Sequence, residues 1–142
     1  MTEHSTVIRS ADFELVEPPG PPSPTLPIQV ELAFDAHDPF AVQTAFRCSR
    51  AHWVTWTFSR ELLALGVVAP VGHGDICVQP ADDDSVELEL RSPNGYARVL
   101  APLPTLRDFL DLTYELVAAG AEGDWLDIDL LVDLLLSVDH PR

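Results

Sequence analysis

Residues 28–34, with the sequence IQVELAF, alternate cleanly between apolar and polar side chains. Successive side chains of a β-strand point to opposite faces, so this pattern places Ile28, Val30, Leu32 and Phe34 together on one face. Such a face packs against a core while the opposite face meets water, as in antiparallel sheets. We therefore expect a fold built on antiparallel sheet with one solvated face.

Six further segments have the β-branched and aromatic content of strands. They are residues 7–16, 41–48, 52–58, 74–80, 85–90 and 95–101. The first of them mixes apolar and polar positions and is predicted to be an edge strand. The pair Asn94 and Gly95, both tolerant of positive φ, predicts a type I′ hairpin turn between the last two strands.

Two segments have helical spacing instead. In residues 59–66, SRELLALG, Ser59 is the predicted N-cap and Gly66 the predicted C′ stop. A longer helix is predicted to begin at Thr105, its N-cap, and to end at Gly120. The predicted buried face of that helix comprises Leu106, Phe109, Leu110, Thr113, Leu116 and Val117.

Residues 124–138 predict a second C-terminal helix with Asp129 as its cap. Over residues 130–136 this helix is apolar on nearly every side and is interrupted only by Asp133. A helix that is apolar all round is buried on more than one side. In so small a protein we expect the second side to contact another subunit. The predicted oligomer interface consists of Leu130, Leu131, Leu134 and Leu135.

These elements predict an α+β fold with two groups of antiparallel strands, a short helix between them and two C-terminal helices. A length of 142 residues fits a single domain spanning residues 1–142. Residues 17–27 contain six prolines. Because proline fixes φ and lacks a backbone donor, this segment is predicted to be an extended surface loop.

The charge of the chain argues against several functions. It has 23 acidic residues and only 8 basic ones, all arginine, for a formal net charge of −15. Nucleic-acid and anionic-membrane binding are disfavoured because phosphates are bound by clustered Lys or Arg. P-loop chemistry is excluded because it requires a lysine.

The sequence shows no secretory leader and no apolar run long enough to cross a bilayer. Its two cysteines, Cys48 and Cys77, are too few for a disulfide framework. A cytoplasmic protein with free thiols and without membrane insertion is expected.

The loop PVGHGDICVQP, residues 70–80, places His73, Asp75 and Cys77 at alternate positions. A metal enzyme or cysteine hydrolase centred on this loop is one hypothesis. However, zinc needs three or four converging ligands, and the sequence has no second cluster of His or Cys. A turn followed by a strand is favoured, with Asp75 accepting from backbone amides, His73 exposed and Cys77 packed inside. No catalytic residue, cofactor or metal is predicted.

Other reactive or aromatic residues have simpler interpretations. Residues 82–84, DDD, lack the spacing of a calcium loop and are predicted to be a solvated hairpin tip. Trp53 and Trp125 are candidate partner anchors, since tryptophan is frequent at interface hot spots. Trp56 is expected in the core.

Several of these motifs, in this order, resemble the SsgA-like proteins of sporulating actinomycetes, and in particular the SsgB-like members. They are DPFAV at residues 38–42, WTFSRELLALG at 56–66, PVGHGD at 70–75, SPNG at 92–95 and LRDFL at 106–110. The resemblance runs from about residue 28 to residue 136. Five motifs in register are more specific than any one alone.

The resemblance implies a non-enzymatic adaptor in sporulation-specific cell division. Such an adaptor helps to recruit or position the tubulin-like protein FtsZ and other septum-forming proteins at division sites, with another SsgA-like protein as a possible partner. It also implies a homotrimer, and a fold similar to the Whirly and guide-RNA-binding proteins. Since a fold likeness does not establish a function, nucleic-acid binding remains an alternative that the net charge disfavours.

Overall fold

The computed structural model of the chain describes residues 5–16, 25–93 and 95–125. The predicted C-terminal helix at residues 124–138, with its interface leucines, lies outside them except for its first two residues. So do residues 17–24 of the proline-rich loop, whereas its last three residues, Thr25–Pro27, are strand and not loop as predicted, because they pair with the first strand. The described strands are β1 (Thr6–Val16), β2 (Thr25–Asp35), β3 (Ala41–Ser49), β4 (His52–Ser59), β5 (Val71–His73), β6 (Ile76–Pro80), β7 (Ser85–Ser92) and β8 (Gly95–Pro102). The helices are α1 (Arg60–Gly66) and α2 (Leu103–Leu116), followed by a 3₁₀ turn at Glu122–Trp125.

All eight strands form one antiparallel sheet with the order β4-β3-β2-β1-β8-β7-β6-β5. The two predicted groups of strands are both present, but they are joined where Glu14–Val16 of β1 pairs with Arg98–Leu100 of β8. The predicted edge position of β1 is therefore wrong for Glu14–Val16, whereas Thr6–Phe13 pair only with β2 among the described strands. The polar residues of β1 reflect a solvated face of the sheet, and a strand with such a face can still be paired along both edges.

Of the two hairpin turns that connect β5 to β6 and β7 to β8, the first has a glycine with positive φ at a turn position. Gly74 has a φ of 63° and occupies the first position of the two-residue turn between β5 and β6, where His73 pairs with Ile76. Strand β5 itself was not predicted, because Pro70 and Gly72 obscure a strand of only three residues. In the β7–β8 hairpin, Ser92 pairs with Gly95, so the turn positions fall one residue earlier than predicted.

Helix α1 begins as the sequence predicts, since the Ser59 side chain accepts a hydrogen bond from the Leu62 amide at 3.0 Å. The predicted role of Gly66 as a C′ stop is wrong, because Gly66 is the last helical residue and the αR residue Val67 follows it. Gly66 is required for another reason. A Cβ at this position would overlap the Val78 side chain of β6. The glycine therefore allows α1 to lie directly on the sheet.

Helix α2 begins two residues before the predicted N-cap Thr105. Its N-cap is Pro102, and Pro104 lies in its first turn, where the missing amide costs nothing. The predicted end at Gly120 is also wrong, because Val117 is already extended, with φ −137° and ψ 106°. The predicted buried face is confirmed for every member except Leu116, which is half-buried.

The core lies inside the curve of the sheet. Strands β4 and β5, at opposite ends of the strand order, line one common cavity, so the sheet bends back on itself. Helix α2 packs against β1 and β8, and α1 contacts β3 to β6. The largest fully buried apolar side chains are Phe13, Val30, Leu32, Val42, Leu63, Val78, Val86, Leu88, Val99, Leu106 and Phe109.

Candidate functional site

A cavity of about 590 Å³ lies between the two ends of the described sheet. Four consecutive residues of β4, Trp56–Ser59, form one side, and Val71 and Gly72 of β5 form the other. Helix α1 closes one end. Because consecutive residues of a strand alternate between its faces, a strand that contributes all of them turns its edge toward the cavity. We call this feature the seam.

The inner wall of the seam is apolar, and its rim is acidic. Leu62 of α1 and Ile76 of β6 are buried, and Leu65 of α1 lies at the rim with 53% of its surface exposed. Among the described lining residues, Glu61 and Asp75 carry a charge, and both are exposed. Apolar walls with a few charged groups are typical of binding sites. The seam therefore offers contacts to an apolar ligand that carries positive charge.

The residues of loop 70–80 are placed by the β5–β6 hairpin. Asp75 is exposed, and it is the backbone carbonyl of Asp75 that accepts a bond, from the Arg91 amide at 2.8 Å. The prediction that its carboxylate satisfies the turn amides thus finds no support in the described bonds. Cys77 is half-buried and free, with its Sγ beside Gly72. The His73 side chain lies outside the described part of the structure.

No group of three or more His, Cys, Asp or Glu residues that could hold a metal is found in the described ranges. At the tip of the β6–β7 hairpin, Asp82 Oδ1 accepts from the Asp84 amide at 2.8 Å and from Ser85 Oγ at 2.9 Å. These two hydrogen bonds lower the pKa of Asp82. Asp82 therefore acts as a turn residue, in agreement with the predicted hairpin tip.

A buried arginine connects the two helices, and the sequence analysis missed it. Arg60, the first residue of α1, is 1% exposed. Its Nη1 donates to the carbonyls of Thr113 at 3.0 Å and Val117 at 2.7 Å, at the end of α2. Its Nη2 donates to Glu122 Oε2 at 2.9 Å. The positive charge of Arg60 in the first turn of α1 is unfavourable beside the positive end of the helix dipole. This unfavourable position is the feature of the sequence that could have indicated an interaction of Arg60 with another part of the fold.

Aromatic rings enclose the same guanidinium. It lies 4.0 Å from the ring centroid of Tyr114 and 4.9 Å from that of Phe34. Burial raises the pKa of the Tyr114 hydroxyl. Hydrogen bonds from its own backbone amide and from Arg60 lower the pKa of Glu122. The C-terminal end of α2 is thus fixed to the start of α1 by the Arg60 side chain.

The two tryptophans whose side chains are described differ in exposure. Trp53 is 41% exposed, with the Arg47 guanidinium 5.9 Å from its ring centroid. Trp56 is half-buried against the core and lines the seam. The expectation of core burial is therefore met only in part, because the edge of the sheet leaves one side of Trp56 open. The Trp125 side chain is not described.

A second charged pair lies on the outer face of the sheet. Arg98 Nη2 of β8 donates to Glu87 Oε1 of β7 at 2.8 Å, and Gln79 donates to Oε2 at 3.4 Å. The bond from Arg98 lowers the pKa of Glu87 below its ordinary 4.5, although partial burial opposes this. The same pair raises the pKa of Arg98.

The lowered pKa of Glu87 predicts a pH-dependent contribution to stability. A carboxyl whose pKa is lower in the folded state stabilises the fold above its unfolded pKa, and the effect is lost as pH falls through the folded pKa. We expect Glu87→Gln to reduce the free energy of unfolding by about 1 kcal/mol near pH 7, a small value because Arg98 is still 41% exposed. The difference should shrink as the pH falls below the ordinary pKa of 4.5 and vanish once the pH lies below the lowered pKa of the folded state. Urea unfolding at several pH values measures it.

The matched control is Glu31→Gln, at an exposed position of β2. Glu31→Gln changes the net charge by the same amount as Glu87→Gln. It therefore measures how stability changes when one carboxylate is removed from an acidic chain, apart from the loss of the Arg98 pair. A pH-independent difference between the wild type and Glu87→Gln would contradict the prediction.

Within the described residues, no helix is both long enough and apolar enough to span a membrane. A curled antiparallel sheet with one helix across it and a second along its open seam defines a β-rich protein of the α+β class.

Comparison with known proteins identifies the family within this structural class. Residues 28–122 match the family model described as Streptomyces sporulation and cell division protein, SsgA. The sporulation-specific cell division protein SsgB of Saccharopolyspora erythraea is 45% identical over 139 residues, which cover 96% of each chain. The SsgB of Streptomyces coelicolor is 37% identical over 108 residues, 74% of this chain and 79% of that protein.

Solved structures give the same result. The crystal structure of an SsgA-like sporulation-specific cell division protein from Thermobifida fusca superposes with a TM-score of 0.82 at 34% identity, covering 94% of this chain and 98% of that one. A structure described by the words "Mutations in SsgB correlate to longitudinal cell division during sporulation of Streptomyces coelicolor" gives 0.79 at 34% identity, covering 85% of this chain and 95% of that one. The chain belongs to the SsgA-like family of sporulation and cell division proteins.

Proposed function

We propose that this chain is a non-enzymatic adaptor in sporulation-specific cell division, and that it recruits or positions FtsZ and other septum-forming proteins through protein–protein contacts. The observation that carries the proposal is the match to proteins named SsgB along nearly the whole chain. The geometry is compatible with it, because the seam and the exposed Trp53 offer surfaces suited to a protein partner. The adaptor would act in the cytoplasm, at septum sites.

Co-sedimentation with polymerised FtsZ tests the proposal. The chain should pellet with FtsZ polymers at low salt and remain in the supernatant without them. A second run at higher salt separates contacts between exposed charges, which weaken, from apolar contacts, which do not. The absence of FtsZ-dependent pelleting at low salt would contradict direct recruitment.

The same proposal includes self-association as a homotrimer through Leu130, Leu131, Leu134 and Leu135. It is supported by the apolar character of residues 130–136 on nearly every side. Leu134→Asp should dissociate the oligomer, because a carboxylate without a partner is costly in an apolar contact. Light scattering coupled to size-exclusion chromatography measures the mass directly.

The control for this change is His140→Asp, which adds a carboxylate to the same terminal segment outside the apolar run. It should leave the mass unchanged. If Leu134→Asp also keeps the wild-type mass, these leucines do not form the interface.

A further inference from the structure

We propose that the seam is a docking site for an extended, basic peptide segment of a partner protein. The segment would pair with β4 by strand addition, direct apolar side chains into the cavity and carry Lys or Arg beside them. This inference rests on the proposed function only in assuming that the chain acts through protein contacts. It adds the mode of binding and the chemistry of the partner.

The first argument is the unprotected edge of β4. In the described sheet, β4 and β5 are the terminal strands, and each has one paired neighbour. Natural proteins protect exposed edges with charged residues, proline, bulges or short strands. Strand β5 is short, with three residues. Strand β4 has eight residues, HWVTWTFS, without an acidic residue, lysine, arginine, proline or glycine.

The second argument is the shape of the seam. The β4 edge faces a cavity of about 590 Å³ that contains Leu62, Leu65 and Ile76 on its walls. In a strand added to this edge, alternate side chains would point to the cavity while the backbone pairs with β4. The seam thus offers both elements of strand addition, a row of backbone groups and an apolar pocket beside it.

The third argument is charge, and it selects the occupant. In the part of the chain that the structure describes, the charged residues that line the seam are Glu61 and Asp75, and both are exposed carboxylates. A second copy of this chain would bring another net charge of −15 to this rim. The chain's own C-terminal segment, residues 126–142, carries Asp127, Asp129, Asp133 and Asp139 and a single arginine. A foreign segment with Lys or Arg is the occupant that complements the rim.

A fluorescent peptide of alternating Val and Thr with two basic residues at each end, RKVTVTVTVKR, is a suitable probe. Fluorescence anisotropy with the full chain should show saturable binding. The acidic version, EEVTVTVTVEE, should bind at least about tenfold more weakly, because like charges oppose each other at the rim. Absence of saturable binding by the basic peptide would overturn the inference.

A matched pair of variants places the binding in the seam. Leu65→Asn, at an exposed position that lines the cavity, should weaken peptide binding at least about tenfold without loss of folding, because it removes an apolar contact and leaves the charge of the rim unchanged. Val68→Asn makes the same kind of change at a position that is 76% exposed and is not among the described residues that line the seam, and it should have little effect. Equal weakening by both variants would show that binding is not located in the seam.

Backbone pairing is tested with the peptide itself. An added strand uses the amides of alternate residues, so N-methylation of one alternating set should abolish binding while methylation of the other should not. Equal binding of both methylated peptides would overturn strand addition. Hydrogen exchange gives a further test, because alternate β4 amides should exchange rapidly in the free chain and slowly with the peptide. If they are already protected in the free chain, the edge is occupied by the chain itself or by a second copy, and the inference is wrong.

These results are separable from those of the proposed function. Failure of the basic peptide to bind, with FtsZ-dependent pelleting intact, removes this inference alone. Peptide binding without any pelleting removes the proposed FtsZ contact alone.

Discussion

Arg60→Leu should lower the free energy of unfolding by about 2–3 kcal/mol, because it removes a buried guanidinium that donates to two backbone carbonyls. The variant removes the guanidinium that donates to the carbonyls of Thr113 and Val117, of which the first still accepts from the Val117 amide, and it leaves Glu122 without its ion pair. A fold of this size has about 5–15 kcal/mol of stability in total, so this loss is a large fraction of it. Urea unfolding followed by circular dichroism measures the change.

Two further variants separate the possible causes. Arg107→Leu makes the same substitution at an exposed position of α2 and should change stability by less than about 0.5 kcal/mol. Arg60→Lys keeps the charge but loses the planar fork that reaches two carbonyls and a carboxylate, so its loss should be intermediate. If Arg60→Leu and Arg107→Leu have equal effects, the buried network does not fix α2 to α1.

Gly66→Ala should destabilise the fold by about 1–3 kcal/mol, as expected for overpacking. The result would reverse the usual rule, since alanine in place of glycine stabilises a helix wherever there is room. At Gly66 there is no room, because a Cβ would overlap the Val78 side chain, which is itself fully buried. Helix α1 would have to move away from β6. Thermal unfolding by calorimetry measures the effect.

Gly123→Ala is the control, because nothing lies within 4 Å of a Cβ at that position. It should be neutral or slightly stabilising. A neutral Gly66→Ala would mean that α1 can move from the sheet at no cost, and the close packing described here would then be incorrect.

The faces of the sheet could be predicted from the sequence, whereas the neighbours of each strand could not. The alternation in residues 28–34 predicted which side chains of β2 face the core, and Val30, Leu32 and Phe34 are buried as expected. Alternation depends on local chain geometry. Pairing of β1 with β8 depends on residues about 80 positions apart, so no local pattern distinguished this central strand from an edge.

The sequence predicted separate segments of the candidate site but not how the fold brings them together. The loop at residues 70–80 was recognised as a turn, and its Asp75 does line the seam. The other side of the seam comes from β4, which is brought opposite β5 by the curvature of the whole sheet. Arg60 was overlooked because its partners, the carbonyls of Thr113 and Val117, are backbone atoms that every residue carries.

The pairing of β1 with β8 has a consequence for synthesis of the protein. Strands β1 to β4 are complete when the ribosome reaches Ser59, but the partner for the other edge of β1 begins at Arg98. Translation at about 5–20 residues per second takes roughly 4–16 s to add the 80 or so residues between Val16 and Arg98. During this interval the nascent chain exposes the edge of its future central strand. In the mature sheet β8 covers that edge at Glu14–Val16, and until then the growing polypeptide must keep these residues from pairing with neighbouring chains.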